Sequence, residues 1–141
     1  MKRIILEGTD AVGKTTAKEM LFRDGITCED RSIDVISKYM LFDVDMATRA
    51  EKYCEFLKNN NVTVIFMVNH NNAEIMRRVY SRGHVSEFDK LADKYNALYY
   101  DTYLYMKERG LTKDKLLLLD CTHLSVKETV CALKEIITQN R

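Results

Sequence analysis

Two patterns of apolar spacing alternate along this chain. One is the short unbroken run: Arg3-Ile4-Ile5-Leu6, residues 26–30 (ITCED), residues 62–68 (VTVIFMV) and residues 116–120 (LLLLD). Such runs, bounded by polar or glycine residues and too short for helices, predict strands, and the most apolar of them suit a parallel sheet buried on both faces. The other pattern repeats every three or four positions and predicts helices. Residues 15–21 open a helix that Gly25 stops. Ile33, Ile36 and Met40 share one side of residues 32–42. Met46, Ala50, Tyr53, Cys54 and Leu57 form a stripe over residues 45–58, which Asn59-Asn60-Asn61 breaks. Residues 71–109 are mostly helical with an interruption near Gly83, and Phe88, Leu91, Tyr95, Leu98, Thr102 and Tyr105 form the inward face of the later part. Ser125 and Glu128 form a capping box for a last helix that turns Val126, Val130, Leu133, Ile136 and Ile137 inward. Strands separated by helices predict an α/β domain over residues 1–141, with a small parallel sheet of about four strands covered on both faces.

Composition changes little in this picture. A net charge of +1 gives no field that argues for nucleic acid or a membrane surface, and no apolar stretch reaches a transmembrane length. Cys28, Cys54, Cys121 and Cys131 lack zinc or C-x-x-C spacing, so reduced thiols and a cytoplasmic location are expected.

Candidate chemistry lies between the first strand and the first helix. Residues 8–15 read Gly-Thr-Asp-Ala-Val-Gly-Lys-Thr, a full G-x-x-x-x-G-K-[ST] phosphate loop in the strand–loop–helix context it requires. Gly8 and Gly13 let the backbone wrap a phosphate chain, and the amides of Ala11, Val12, Gly13 and Thr16 join that cradle. Lys14 is expected as a solvent-facing charge that reaches the β- and γ-phosphates, and the Thr15 hydroxyl as a Mg²⁺ ligand. The loop alone leaves kinases, switch GTPases and motor ATPases open. Two further groupings narrow the choice. In Glu29-Asp30-Arg31-Ser32, a carboxylate at the end of a strand can hold the Mg²⁺ shell or receive an acceptor proton, while Arg31 clamps an acceptor phosphate. In Arg77-Arg78-Val79-Tyr80-Ser81-Arg82-Gly83, Arg78 and Arg82 are four apart, so a helix puts both on one face. A solvated basic face and a strand-end ion pair are the plain alternatives.

The segment Glu7-Gly8-Thr9-Asp10-Ala11-Val12-Gly13-Lys14-Thr15-Thr16 resembles the E-G-x-D-x-x-G-K-[ST]-T opening of thymidylate kinases. Asp30-Arg31-Ser32 resembles the D-R-[YS] motif of that family and the E-R-S motif of deoxynucleoside kinases, and the R-x-x-x-R-G spacing resembles their mobile lid, here about residues 71–90. Residues 120–128 resemble the final strand–loop–helix, whose loop passes the donor adenine at Thr122 and His123. The resemblance implies a P-loop kinase three-layer fold with ATP and Mg²⁺ as cofactors. It also implies transfer of the γ-phosphoryl group to a (deoxy)nucleoside monophosphate, a small-molecule acceptor, with no nucleic-acid or membrane partner and a homodimer left open. Lys14, Asp30, Arg31, Arg78 and Arg82 are the catalytic residues so implied. Thr15 and Asp30 would serve the metal, and Asp10 and Arg31 the acceptor. Asp120, at the end of a more apolar strand, imitates the metal-side carboxylate, but the family places that carboxylate on the strand after the first crossover. One departure stands out: Gly25 leads almost directly into Asp30, where the family has a further strand-like segment and helices. A deoxynucleoside kinase, or a regulatory NTPase that has lost its acceptor site, are the alternatives.

Overall fold

The apolar runs become the strands of one parallel sheet. A computed structural model describes residues 2–9, 12–30, 39–83, 85–87 and 89–140, with Asp30 as backbone only. The strands are β1 (Arg3–Glu7), β2 (Glu29–Asp30), β3 (Val62–Val68) and β4 (Leu116–Asp120), in the spatial order β2-β1-β3-β4. Three are of ordinary length, and β2 is a two-residue strand on one edge. The expected strand over residues 26–30 therefore shrinks: residues 26–28 pair with nothing in the sheet, and Glu29 and Asp30 lie opposite Ile5 and Leu6.

Helices α1 (Lys14–Arg23), α2 (Met46–Asn59), α3 (Asn72–Ser81), α4 (Ala92–Glu108) and α5 (Val126–Gln139) complete the described fold, with a 3₁₀ turn at Asp89–Leu91. Strand alternation divides the core in two. Ile5, Val64, Phe66 and Val68 face Ala50, Tyr53 and Leu57 of α2 and Tyr99 and Met106 of α4. Leu6, Ile65 and Met67 face Ala17 and Leu21 of α1 and Val130, Leu133 and Ile137 of α5. Every residue of β3 is buried, as its unbroken apolar run requires. Helix α3 stands apart on a small cluster of Ile75, Val79 and Ala92.

Three expected helix faces need correction. In α2, Arg49 and Phe56 are buried beside the anticipated stripe. The Arg49 guanidinium donates to the carbonyls of Tyr39, Leu41 and Val44 at 2.6–2.8 Å, so its burial is compensated by hydrogen bonds to a backbone turn. In α4 the buried face is Ala92, Asn96, Tyr99, Thr102 and Met106, rotated from the expected one, and Leu91, Tyr95, Leu98 and Tyr105 are only half-buried. In α5, Val126 is 53% exposed and Thr129 is buried in the helix's first turn instead. The capping box forms: Ser125 Oγ accepts from the Glu128 amide at 3.1 Å, and Glu128 Oε1 accepts from the Ser125 amide at 3.0 Å. The helix expected over residues 32–42 lies mainly outside the described residues, as does Phe88. Among the described residues, no helix is long and apolar enough to cross a membrane.

Candidate functional site

The phosphate-loop motif joins the central strand β1 to α1. Gly8 has φ +150°, and a Cβ built on it would lie 2.5 Å from the Met67 carbonyl oxygen, so the loop leaves the sheet pressed against β3. The Val12 amide donates to Thr9 O at 3.1 Å, which folds the loop back on itself. Gly13, at φ 96°, is the N-cap of α1, a left-handed conformation that other residues rarely adopt. Among the described residues, no side chain caps this helix start and no acidic residue stands in its first turn, which leaves the positive end of the helix dipole without a counter-charge there. Lys14 is only 4% exposed. The expectation of a solvent-facing charge is therefore corrected: the side chain sits within the protein at the foot of the loop.

At the other end of the loop, Glu7 ends β1 with its carboxylate fully buried and accepts a hydrogen bond from Tyr99 Oη at 2.9 Å. The Tyr99 ring is itself held edge-on by Phe66, centroids 5.0 Å apart. This tie between α4 and the root of the loop escaped the sequence reading, which faced Tyr95 inward and left Tyr99 out.

A cavity of about 520 Å³ lies against the first turn of α1, and the loop residues Gly13, Thr15 and Thr16 share it with Arg78 and Arg82. Val12 also lines it. The spacing argument for the two arginines is thus met in space, with Arg78 in the last turn of α3 and Arg82 as its C-cap. Gly83 follows at φ 76°. Glu74, one turn earlier, holds Arg78 and its neighbour Arg77: it accepts from Arg77 Nη2 at 2.6 Å and from Arg78 Nε at 3.0 Å. Side-chain hydrogen bonds from Arg77 and Arg78 hold the Glu74 carboxyl down at about 2. The i, i+3 and i, i+4 spacing of Glu74 to these arginines was visible in the sequence.

The opposite wall comes from the end of β4 and the start of α5, through Cys121, Leu124, Ser125, Val126 and Thr129. Burial pushes the Cys121 thiol up to about 11. Thr122 and His123 are not among the lining residues. Instead the Thr122 hydroxyl accepts from the His70 amide at 2.8 Å and donates to the Asp120 carboxylate, so it ties the loop after β4 to the corner that leads into α3. Burial works against the Asp120 charge, yet hydrogen bonds from the Thr122 hydroxyl and amide, with His70 and His123 nearby, hold its carboxyl below the usual aspartate value. Asp120 thus has a local role at a loop corner, on a strand separated from β1 by β3.

Asp30 is placed by its backbone, paired opposite Leu6 one residue before the end of β1. Its side chain, and Asp10, Ala11 and Arg31, lie outside the described residues. Among the described residues, no group of three or more His, Cys, Asp or Glu side chains is arranged to hold a metal ion. Compared with known proteins, the chain matches no protein-family model and no curated protein sequence.

Proposed function

We propose that this chain is a small P-loop kinase, similar to thymidylate kinases, that transfers the γ-phosphoryl group of ATP to a (deoxy)nucleoside monophosphate. The observation that carries this reading is the shared cavity. Gly13, Thr15 and Thr16 of a complete phosphate-loop motif line the same space as Arg78 and Arg82. Phosphoryl transfer needs little covalent help from a protein; it needs positioning and cations around the transferring group. A loop and helix start that take the phosphates, facing two guanidinium groups, answer that need.

In this reading the loop amides hold the polyphosphate, and Lys14, buried and not among the residues that line the cavity, turns its side chain toward the phosphates when they bind. Arg78, oriented by Glu74, and Arg82 bear on the polyphosphate from the lid side. Magnesium bound with a nucleotide uses one or two protein ligands alongside phosphate oxygens. The Thr15 hydroxyl, at the start of α1 on the cavity, suits that demand, with Asp30 at the end of the strand next to β1 as the second group. When bound, the ion would supply charge neutralisation between the phosphates. The walls from Cys121 to Thr129 take the nucleoside part of the donor. Acceptor orientation falls to Asp10 and Arg31.

The test is coupled ADP release measured over a panel of nucleosides and nucleoside monophosphates with Mg²⁺ and ATP. Acceptor-dependent release is expected with at least one monophosphate. Release that no acceptor accelerates would replace the kinase with a simple NTPase.

A further inference from the structure

The strand that carries Asp30 is the shortest in the sheet. β2 has two residues, lies on an edge, and sets Glu29 opposite Ile5 and Asp30 opposite Leu6. A pairing this short forms few ladder hydrogen bonds, so the backbone alone specifies its register weakly. In any strand, a slip of one residue turns every side chain to the other face. Register matters here because two carboxylates stand side by side. Shifted by one position, β2 would set Glu29 rather than Asp30 opposite Leu6, one residue before the end of β1.

Side chains supply what the backbone lacks. Arg3, the first residue of β1, donates to the Glu29 carboxylate through Nε at 2.7 Å and Nη2 at 2.8 Å. Arg3 is two residues before Ile5 and shares its face, so it stands diagonal to Glu29 across the paired strands. Most exposed ion pairs contribute little, but a two-pronged arginine–carboxylate contact fixes geometry as well as charge. The same hydrogen bonding from Arg3 holds the Glu29 carboxyl below the usual glutamate value. One residue earlier, Cys28 is buried with Leu6, Ala17 and Leu21, and the Ile26 amide donates to the Leu21 carbonyl at 2.9 Å. The chain is therefore held at successive residues up to Asp30, and the competing carboxylate is already engaged.

We propose that Arg3 and Glu29 are positioning residues: their ion pair locks the register of β2, so that Asp30 and not Glu29 serves the magnesium ion of a bound nucleotide. The inference rests on the kinase reading above. It adds the device by which a strand of two residues keeps its metal-side carboxylate in place.

The test measures equilibrium binding of ATP with Mg²⁺ and, separately, with the metal removed by chelation. It uses wild type, Arg3→Met, Glu29→Ala, Asp30→Asn, and the double variants that join each clasp change to Asp30→Asn. Wild type should bind Mg²⁺-ATP more tightly than metal-free ATP. Each single variant should lower that preference about tenfold, the size of a coupling within one network, and leave metal-free ATP within about twofold. In the Asp30→Asn background the clasp changes should cost nothing further. Without any nucleotide, hydrogen exchange across residues 26–30 should quicken in Arg3→Met and Glu29→Ala, since fraying of β2 needs no ligand. An unchanged preference in both clasp variants, or a loss that adds in full to that of Asp30→Asn, would overturn the clasp and leave Asp30 in its role. Equal weakening with and without the metal would make the ion pair merely structural and would overturn it too. If Asp30→Asn keeps the wild-type preference, the metal assignment fails; if wild type binds no ATP, the donor site fails; in either case the clasp falls with it.

Discussion

A residue's type tells less about its burial than the partners it finds. Arg49 is 2% exposed and has three backbone carbonyls as acceptors. Nothing in the sequence marks it, because an arginine at that position of a helix reads as a solvated charge. Replacing it with methionine would keep much of the volume but leave buried carbonyls without donors, at about 2–3 kcal/mol. The expected outcome is a lower denaturation midpoint with an unchanged denaturant slope; an unaltered midpoint would show that water replaces the guanidinium. Gly8 is the opposite case, legible from the motif and explained only by the structure. An alanine there would set its Cβ 2.5 Å from the Met67 carbonyl oxygen at φ +150°. Gly8→Ala should destabilise the fold by roughly 1–3 kcal/mol and weaken Mg²⁺-ATP binding, because the loop must move off β3. Thermal unfolding with and without nucleotide measures both effects. Lys14 marks a limit of motif reading: the sequence names the residue, but its burial depends on how the loop folds over it.

At the level of elements, strands were easier to read than helix faces. The runs at 3–7, 62–68 and 116–120 declared themselves as short, nearly unbroken apolar stretches, although only Val62–Val68 is buried along its whole length and Leu117, Leu118 and Leu119 are half-buried. Helix α4 misled because its inward face carries Asn96, a polar residue satisfied by the Asn69 backbone, while Thr102, which donates to the Leu98 carbonyl at 2.7 Å, is buried as expected. Its flanks carry tyrosine and leucine. Hydropathy alone therefore chose the flank. Helix α3 allows a test by pH. The Glu74 carboxyl is held at about 2, well below its ordinary value of 4.5, by hydrogen bonds from Arg77 and Arg78. A depressed carboxyl adds stability that is complete above the ordinary value and is lost as pH falls towards 2. Because the group is exposed, the effect on global stability should be small. A carboxyl titration followed by NMR should put Glu74 among the most acidic glutamates, with Arg78→Ala moving it upward. A Glu74 that titrates near 4.5 would mean that its clasp on Arg77 and Arg78 is not maintained in solution.

For the whole molecule, the sheet order β2-β1-β3-β4 decides which of the segments singled out in the sequence come together. The order puts the phosphate-loop strand between the strand ending in Asp30 and the strand leading into α3, so motifs distant in sequence gather at one edge. Their spacing was legible because each lies at the end of a strand or the start of a helix. The tie between Tyr99 and Glu7, 92 residues apart, was not legible, since only folding brings such partners together. Nor was the cavity wall at Cys121 and Ser125, where Thr122 and His123 had been expected. The central claim is that the cavity shared by the loop and the lid arginines transfers a phosphoryl group from one nucleotide to another. The most direct measurement follows the label of γ-phosphate-labelled ATP with Mg²⁺, in the presence of nucleoside monophosphates, for wild type, Lys14→Ala and Arg82→Ala. The account predicts label in a nucleoside diphosphate with wild type, none with Lys14→Ala, and a turnover lowered by roughly 10³-fold with Arg82→Ala at little cost to ATP binding. Label that appears only as inorganic phosphate, or unchanged transfer by Lys14→Ala, would contradict it.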